Sequence, residues 1–212
     1  MTFKALLKKI LRRLYKRKGT PHQRERARTR LLEMMPKNSV CAEIGVWKGN
    51  YSQRILEIVK PMKLHLIDPY IYQTGFGERL YGGGEAKSQH DMDELYQQVV
   101  GRFETRSNVI FHRNFSDNAV DDFRDAYFDW IYIDGNHYYE YVLNDLEKYF
   151  PKIKPGGYLT GDDYYWTSQE LHGDRPVKRA FEEFTARKKA AIEFARILGG
   201  QFVIRRCSTD QG

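Results

Sequence analysis

From Pro36 onward, the sequence alternates short apolar runs with longer segments whose apolar residues recur at helical spacing. The apolar runs are typical of buried strands and lie at residues 39–44, 64–67, 109–112, 130–133 and 158–161. The helical segments lie between or after them, at residues 51–60, 88–103, 138–150 and 175–189. Strands separated by helices form parallel sheets that helices cover on both faces, so the alternation predicts a doubly wound α/β domain.

Two more strand-like runs, residues 191–197 and 201–206, are separated by Leu198-Gly199-Gly200. A glycine pair between two such runs is typical of a β-hairpin. We therefore expect a mostly parallel, seven-stranded sheet with a C-terminal antiparallel hairpin.

The first 30 residues differ in charge from the rest of the sequence. They contain twelve of the 35 Lys and Arg residues and only one of the 28 acidic residues, so residues 31–212 carry a small negative net charge. That charge argues against nucleic acid as a partner of the domain, because phosphate binding needs a basic surface. We therefore divide the chain into a basic N-terminal arm, residues 1–30, and a domain, residues 31–212.

Within the arm, apolar residues of the segment 3–18 recur at helical spacing with basic residues on both flanks, which predicts an amphipathic helix. Such a helix either lies on an anionic membrane surface or packs its apolar stripe on the domain or on a second subunit of a homo-oligomer. Contact of the basic arm with RNA is a third, less favoured alternative. No apolar run is long enough to cross a bilayer, and only two cysteines, Cys41 and Cys207, are present. We therefore predict a cytoplasmic protein, peripheral at the inner membrane surface if the first alternative holds.

The ends of the first two predicted strands carry a nucleotide-binding pattern. The first strand ends in the turn E-I-G-V-W-K-G at residues 43–49, and the second ends at Asp68. A glycine turn followed by an acidic residue at the next strand end is typical of adenosine-containing cofactors, because the carboxylate can accept hydrogen bonds from ribose hydroxyls. Trp47 stands where the dinucleotide motif has its second glycine, which argues against a nicotinamide dinucleotide.

Four motifs occur in order along the domain: E-I-G-V-W-K-G at 43–49, L-I-D-P-Y at 66–70, I-Y-I-D-G-N-H-Y-Y at 131–139 and P-G-G-Y-L-T-G-D-D-Y at 155–164. Together they resemble the class I S-adenosylmethionine-dependent methyltransferases. More narrowly, they resemble a branch with an I-D-G-x-H signature that includes metal-dependent O-methyltransferases of sugars and other natural products. The resemblance implies a Rossmann-like fold.

The resemblance also implies where S-adenosylmethionine binds. The first motif would line the methionine end of the cofactor, Asp68 would hold the ribose and Ser116 would lie near the adenine. Ser52 either touches the methionine carboxylate or is an ordinary residue of the first helical turn. The predicted cofactor contacts are therefore Glu43, Gly45, Gly49, Ser52, Asp68, Ser116 and Asp134.

Three aspartates follow neighbouring strands of the predicted sheet. Asp134 ends the fourth strand, and Asp162 and Asp163 end the fifth. Because adjacent strands lie about 4.8 Å apart, these carboxylates converge and repel one another unless a cation separates them. Oxygen ligands suit a divalent metal, with Mg²⁺ the first choice, and the resemblance supports this prediction. The alternative is that one aspartate caps a helix and another pairs with an arginine such as Arg175 or Arg179.

His137 lies three residues after Asp134, and its ordinary pKa of about 6.5 suits a general base at neutral pH. The alternative is a histidine that bonds local backbone at a helix start. With His137 and Asp134 as the catalytic residues, the resemblance implies an O-methyltransferase that acts on a hydroxyl of a small molecule or sugar. Two other functions stay open: a metal-dependent hydroxylase-like enzyme on the same scaffold, and a non-catalytic protein that binds the cofactor or is recruited to membranes.

Overall fold

A computed structural model describes residues 21–73, 86–167 and 172–208. The amphipathic helix predicted within residues 3–18 lies outside the described residues. Among the helices of the described ranges, none is both long enough and apolar enough to span a membrane.

Seven strands form one sheet in the order β3-β2-β1-β4-β5-β7-β6. Strands β1 to β5 are parallel to their neighbours, and β7 is antiparallel to both β5 and β6. The predicted seven-stranded, mostly parallel sheet with a C-terminal hairpin is therefore confirmed. The strands are β1 Val40–Ile44, β2 Lys63–Ile67, β3 Val109–His112, β4 Phe128–Ile133, β5 Ile153–Gly161, β6 Ile192–Leu198 and β7 Gln201–Arg206.

Strand β5 begins five residues earlier than the apolar run predicts, because it includes Pro155-Gly156-Gly157, which resemble a turn. The register shows how this is possible: Phe128 pairs with Ile153 and Trp130 pairs with Tyr158, so extra residues of β5 bulge out of the ladder. The bulge accommodates the left-handed backbone of Gly156, whose φ is 77°.

Within the described ranges, six α-helices and two short 3₁₀ turns, Val120–Asp122 and Lys189–Ala191, precede or connect the strands. Ser88 begins the third helix, where its hydroxyl accepts the N–H of Asp91 at 3.3 Å. The sequence pattern did not predict the helix Pro21–Met34, which crosses residue 30. The helices are α1 Pro21–Met34, α2 Asn50–Ile58, α3 Gln89–Phe103, α4 Ser116–Ala119, α5 Tyr139–Tyr149 and α6 Pro176–Arg187.

Each face of the sheet packs on its own apolar cluster. Helices α1, α2 and α3 contribute to one cluster, and α5 and α6 contribute to the other. Alternate residues of β4 take part in both, because Trp130 and Tyr132 point to the first cluster and Ile131 and Ile133 to the second. The sheet is therefore covered on both faces, as in a doubly wound fold.

The order of the strands defines one position for a ligand. The chain runs from β1 outward through β2 and β3, and then returns to place β4 on the other side of β1. The carboxyl ends of β1 and β4 thus lie side by side at the point where strand order reverses. Open α/β sheets bind their ligands in this crevice.

Candidate active site

The turn after β1 packs directly against the end of β4. Gly45 has a φ of 86°, and a Cβ atom on it would lie 2.2 Å from the carbonyl oxygen of Asp134. Its N–H donates to Ile67 O at 2.9 Å, while the N–H of Asp134 donates to Ile44 O at 2.8 Å. Only glycine fits this position. It brings the predicted cofactor turn next to Asp134, the first member of the carboxylate cluster formed by Asp134, Asp162 and Asp163.

Asp68 orders the same turn from the end of β2. Its Oδ2 accepts the N–H groups of Val46 and Trp47 at 2.9 and 3.0 Å, and its Oδ1 accepts the N–H of Tyr70 at 3.0 Å. The Tyr70 hydroxyl donates to the carbonyl of Trp47 at 2.9 Å. Trp47 and Tyr70 both have left-handed backbone, with φ of 52° and 47°. Strained residues of this kind often occur at functional sites, and here the carboxylate of Asp68 stabilises them.

Glu43 and Ser52 lie buried beneath the turn. The Ser52 hydroxyl donates to Glu43 Oε2 at 2.5 Å, so the predicted cofactor contact Ser52 is bonded to a second predicted contact. Burial raises the pKa of Glu43 well above its usual range, and the hydrogen bond from Ser52 only partly opposes this. Gly49 precedes α2 with a left-handed φ of 69°.

Ser116 begins α4, beyond the end of β3, and its hydroxyl donates to Asp145 Oδ1 at 2.6 Å. The hydroxyl of Tyr149 donates to the carbonyl of Ser116 at 2.8 Å. Burial raises the pKa of Asp145 to about 7. No sequence motif indicated Asp145, because an aspartate inside an amphipathic helix is typical of its solvent-exposed face.

The three predicted aspartates converge at the ends of β4 and β5, and two arginines of α1 contact them. Arg28 Nε donates to Asp162 Oδ2 at 2.8 Å, and Arg28 Nη2 bonds the same oxygen. Arg28 Nη2 also lies 3.6 Å from Asp134 Oδ2. Arg24 Nη2 donates to Asp163 Oδ1 at 2.9 Å. Each aspartate therefore pairs with a guanidinium group.

The arginines weighed as alternative partners of the aspartates lie elsewhere. Arg179 pairs with Asp174 at 3.2 Å, and the guanidinium of Arg175 lies over the ring of Tyr165. Arginine pairing of the aspartates does occur, but Arg24 and Arg28 supply it. Helical spacing puts Arg24 and Arg28 on one helix face, because they lie four positions apart, but it does the same for Arg26 and Arg30 and so does not single out the pair.

Asp162 is almost completely buried, and protein donors satisfy both of its carboxylate oxygens. Oδ2 accepts the bonds from Arg28, while Oδ1 accepts the N–H of Asp163 at 2.6 Å and a bond from Gln201 Nε2. Gln201 in turn accepts the hydroxyl of Tyr132 at 2.7 Å. Gln201, like the arginines, was not among the predicted site residues.

His137 lies between two carboxylates of the cluster. Its Nε2 atom is buried, 3.4 Å from Asp134 Oδ1 and 3.3 Å from Asp163 Oδ2, and its ring stacks on Trp166 at a centroid distance of 5.3 Å. Burial lowers the pKa of His137, but the carboxylates of Asp134, Asp163 and Asp162 outweigh burial and leave this pKa above its usual value. Burial also raises the pKa of Asp134, and the charges of Asp162 and Asp163 add to the effect.

These contacts test whether the predicted residues fit a divalent metal. Among the described residues, Asp134, His137 and Asp163 form a group whose ligand atoms lie within 4.8 Å of one another, and Asp162 is not part of it. Arg28 and Arg24 contact two members of that group, so a metal ion there would face two positive charges. In this arrangement the predicted set of three aspartates does not fit a metal.

The strand order, the glycine turn after β1 and the acidic residue after β2 define the class I fold of S-adenosylmethionine-dependent methyltransferases. A family model described as a methyltransferase domain matches residues 42–164. Because this match covers more than half of the chain, the chain belongs to that family. The match includes the predicted cofactor residues, from Glu43 to Asp134, and the whole carboxylate cluster.

Solved structures of methyltransferases share this fold. The O-methyltransferase NovP superposes with a TM-score of 0.59 and 20% identity, over 85% of this chain and 80% of that chain. The N-methyltransferase NodS from Bradyrhizobium japonicum WM9 superposes with a TM-score of 0.55 and 13% identity, over 89% of this chain and 98% of that chain. At these identities the likeness shows the fold alone, and the fold is common to O- and N-methyltransferases.

Curated relatives match only in short segments. Uncharacterized protein R132 of Acanthamoeba polyphaga mimivirus is 39% identical over 46 residues, which are 20% of this chain and 21% of that protein. Uncharacterized protein y4gI of Sinorhizobium fredii (strain NBRC 101917 / NGR234) is 31% identical over 65 residues, which are 30% of this chain and 7% of that protein. The chain thus matches about a fifth or less of these relatives, and their names describe no activity.

Proposed function

We propose that this methyltransferase transfers a methyl group from S-adenosylmethionine to a hydroxyl of a small molecule or sugar, with His137 as general base. The observation that supports the proposal is the setting of His137: it lies between Asp134 and Asp163, stacks on Trp166, and stands beside the Gly45 turn where strand order reverses. A histidine supported by carboxylates next to a cofactor crevice is suited to proton removal.

The residues around the first turn suit the cofactor. Gly45 and Gly49 give the turn its left-handed backbone, and Asp68 holds it from the end of β2. The methionine end would lie along this turn, the ribose near Asp68 and the adenine near Ser116. When bound, S-adenosylmethionine supplies a methyl group on a positively charged sulfur, which is reactive enough to need no covalent enzyme intermediate.

The two ring nitrogens of His137 have different roles in this proposal. Nε2 is buried and makes no hydrogen bond among the described residues, but it lies 3.4 Å from Asp134 Oδ1 and 3.3 Å from Asp163 Oδ2. In the proposal, the negative charge of these carboxylates favours a proton on Nε2 and leaves Nδ1 as the proton acceptor. The acceptor oxygen forms its bond to the methyl carbon as the carbon–sulfur bond breaks, and the hydroxyl proton passes to Nδ1. The same carboxylates stabilise the imidazolium that results.

The need for a base favours a hydroxyl over an amine. A neutral amine has a free lone pair and can attack the methyl carbon before it loses a proton, whereas an alcohol is a poor nucleophile until its proton is removed. We assign no step to a metal ion, because Arg28 and Arg24 already contact Asp134 and Asp163, two of the three residues whose ligand atoms lie close enough to hold one. Positioning of the acceptor and exclusion of water would supply most of the rate enhancement.

Transfer of radiolabelled methyl groups from S-adenosylmethionine to a panel of glycosides, vicinal diols and catechols tests the proposal. With an accepted substrate, we expect His137→Gln to lower kcat by about 100-fold or more, while affinity for S-adenosylhomocysteine is unchanged. His90→Gln is the matched control, because His90 is exposed on α3, where it pairs with the exposed Glu94. Unchanged turnover in His137→Gln, or methylation of amines alone, would contradict the proposal.

A further inference from the structure

The carboxylate cluster, defined as Asp134, Asp162 and Asp163, already has positive partners within the chain. Arg28 contacts Asp162 and Asp134, and Arg24 contacts Asp163. We propose that Arg24 and Arg28 are the resident cations of the acceptor site and replace the divalent metal that the aspartates would otherwise bind. The assignment of this cluster to the acceptor site rests on the proposed function, whereas its affinity for a metal ion can be measured independently of that function.

The bonding of Asp162 carries the first part of the inference. Metal ions bind carboxylates through oxygen lone pairs, and a carboxylate has about four such positions. Both oxygens of Asp162 accept two hydrogen bonds each, two of them from Arg28, and the side chain is only 1% exposed. A metal ion would have to displace the guanidinium group of Arg28 before it could reach Asp162.

The charge balance carries the second part. The three carboxylates of the cluster bring three negative charges, and the two guanidinium groups bring two positive charges within 4 Å of them. The repulsion that would recruit a metal ion to bare carboxylates is therefore largely removed. A divalent ion added to this cluster would gain little attraction and would be repelled by both arginines.

The packing of α1 shows that the arginines belong to a fixed part of the domain. Leu31 and Leu32 of this helix are completely buried. A Cβ atom on Gly199, in the β6–β7 turn, would lie 2.6 Å from the Cβ of Ala27, so the helix packs closely on that hairpin. From α2, Arg54 forms an ion pair with Glu25 and donates to Thr29 at 2.6 Å. The backbone of both arginines is therefore held beside the cluster, and a metal ion would have to displace their guanidinium groups by rotation of the side chains.

Titration of the full chain with Mn²⁺, followed by electron paramagnetic resonance and by calorimetry, tests the inference. For the wild type we expect no stoichiometric binding tighter than about 1 mM. Arg28→Met keeps the length of the aliphatic chain but removes the charge, and we expect it to bind one Mn²⁺ at least about tenfold more tightly. Arg30→Met is the control, because Arg30 is exposed on the same helix.

Thermal unfolding provides a second measurement. We expect Mn²⁺ to raise the Tm of Arg28→Met and to leave the Tm of the wild type unchanged, since an ion that binds the folded state stabilises it. If Arg28→Met does not fold, Arg24→Met tests the same inference, because Arg24 is the more exposed of the two arginines. Micromolar binding of one Mn²⁺ to the wild type would overturn the inference, as would a folded arginine variant that gains no affinity.

Binding of S-adenosylhomocysteine to the same samples in EDTA separates the two proposals. If the wild type does not bind it, the proposed methyl transfer fails, whatever the Mn²⁺ titration shows. If it binds and the wild type also takes one Mn²⁺ at micromolar concentration, only the inference about Arg24 and Arg28 fails.

Discussion

The two halves of the crevice are built by different kinds of interaction. At the donor end, defined as the turn 43–49 with Asp68, a carboxylate bonds backbone N–H groups only 22 and 21 residues away. At the acceptor end, defined as the carboxylate cluster with His137, the arginines that pair with Asp162 and Asp163 lie 134 and 139 residues away along the chain. The donor end is thus a local backbone structure, and the acceptor end is a long-range network of side chains.

This difference explains what each end tolerates. A turn held through backbone groups depends on a few positions, such as Gly45, where no other residue fits. A network of charged side chains depends on its charge balance, because removing one partner leaves a buried charge without compensation. The donor end is therefore sensitive to shape, and the acceptor end is sensitive to charge.

The largest effect on stability is expected at the acceptor end. In EDTA, Arg28→Met should lower the free energy of unfolding by about 3 kcal/mol, because Asp162 is left buried without its cation. The double variant Arg28→Met/Asp162→Leu should recover most of this loss, since the unpaired charge is gone. Urea unfolding measures both variants, with Arg30→Met as the control. Equal losses in the single and the double variant would show that packing, and not charge, holds this end together.

A smaller effect is expected at the donor end. Asp68→Asn replaces a carboxylate that accepts three backbone N–H groups with an amide that has a single acceptor oxygen. We expect S-adenosylhomocysteine to bind about 30-fold more weakly, a loss of about 2 kcal/mol. Calorimetry measures this, and Asp125→Asn at an exposed ion pair with Lys152 is the control. Unchanged affinity would show that the turn forms without Asp68.

The smallest effect is expected from Asp145, the buried carboxyl beside Ser116. Its pKa of about 7 in the folded protein lies above its ordinary value. Between these two pKa values the folded state binds more protons than the unfolded state, so the free energy of unfolding should fall as pH rises, by at most about 1.4 kcal/mol from pH 5 to pH 6.

Asp145→Asn removes this contribution, while its amide oxygen can still accept the Ser116 hydroxyl. Urea unfolding at the two pH values should therefore show a flatter dependence in Asp145→Asn than in the wild type, and the exposed control Asp125→Asn should keep the wild-type slope. Parallel slopes in wild type and Asp145→Asn would contradict the assignment of a raised pKa to this residue.

The sequence predicted the backbone framework well. The strand at residues 109–112 was predicted with the bounds that the structure has, and the sheet order confirms the doubly wound fold. The reason is that apolar periodicity and glycine turns report local conformation directly. The predicted start of β5 was wrong, because Pro155-Gly156-Gly157 are typical of a turn and here form a bulge within the strand.

The acceptor end was predicted only in part. Asp134, Asp162, Asp163 and His137 follow from strand ends and motifs, and the structure brings them together. Their arginine partners could not be predicted, because a charge-rich segment near residue 25 gives no sign of which distant side chains it contacts. Pro21 at the start of α1 and arginines four residues apart are the signals that the sequence does contain.

The most direct test of the central claim is a calorimetric titration of the full wild-type chain with S-adenosylhomocysteine, in EDTA and again in Mg²⁺. We expect binding at about micromolar concentration in both buffers, because the donor end binds the cofactor and resident arginines compensate the acceptor end. Absence of binding in both buffers would contradict a methyltransferase function. Binding that requires Mg²⁺ would contradict the role of Arg24 and Arg28.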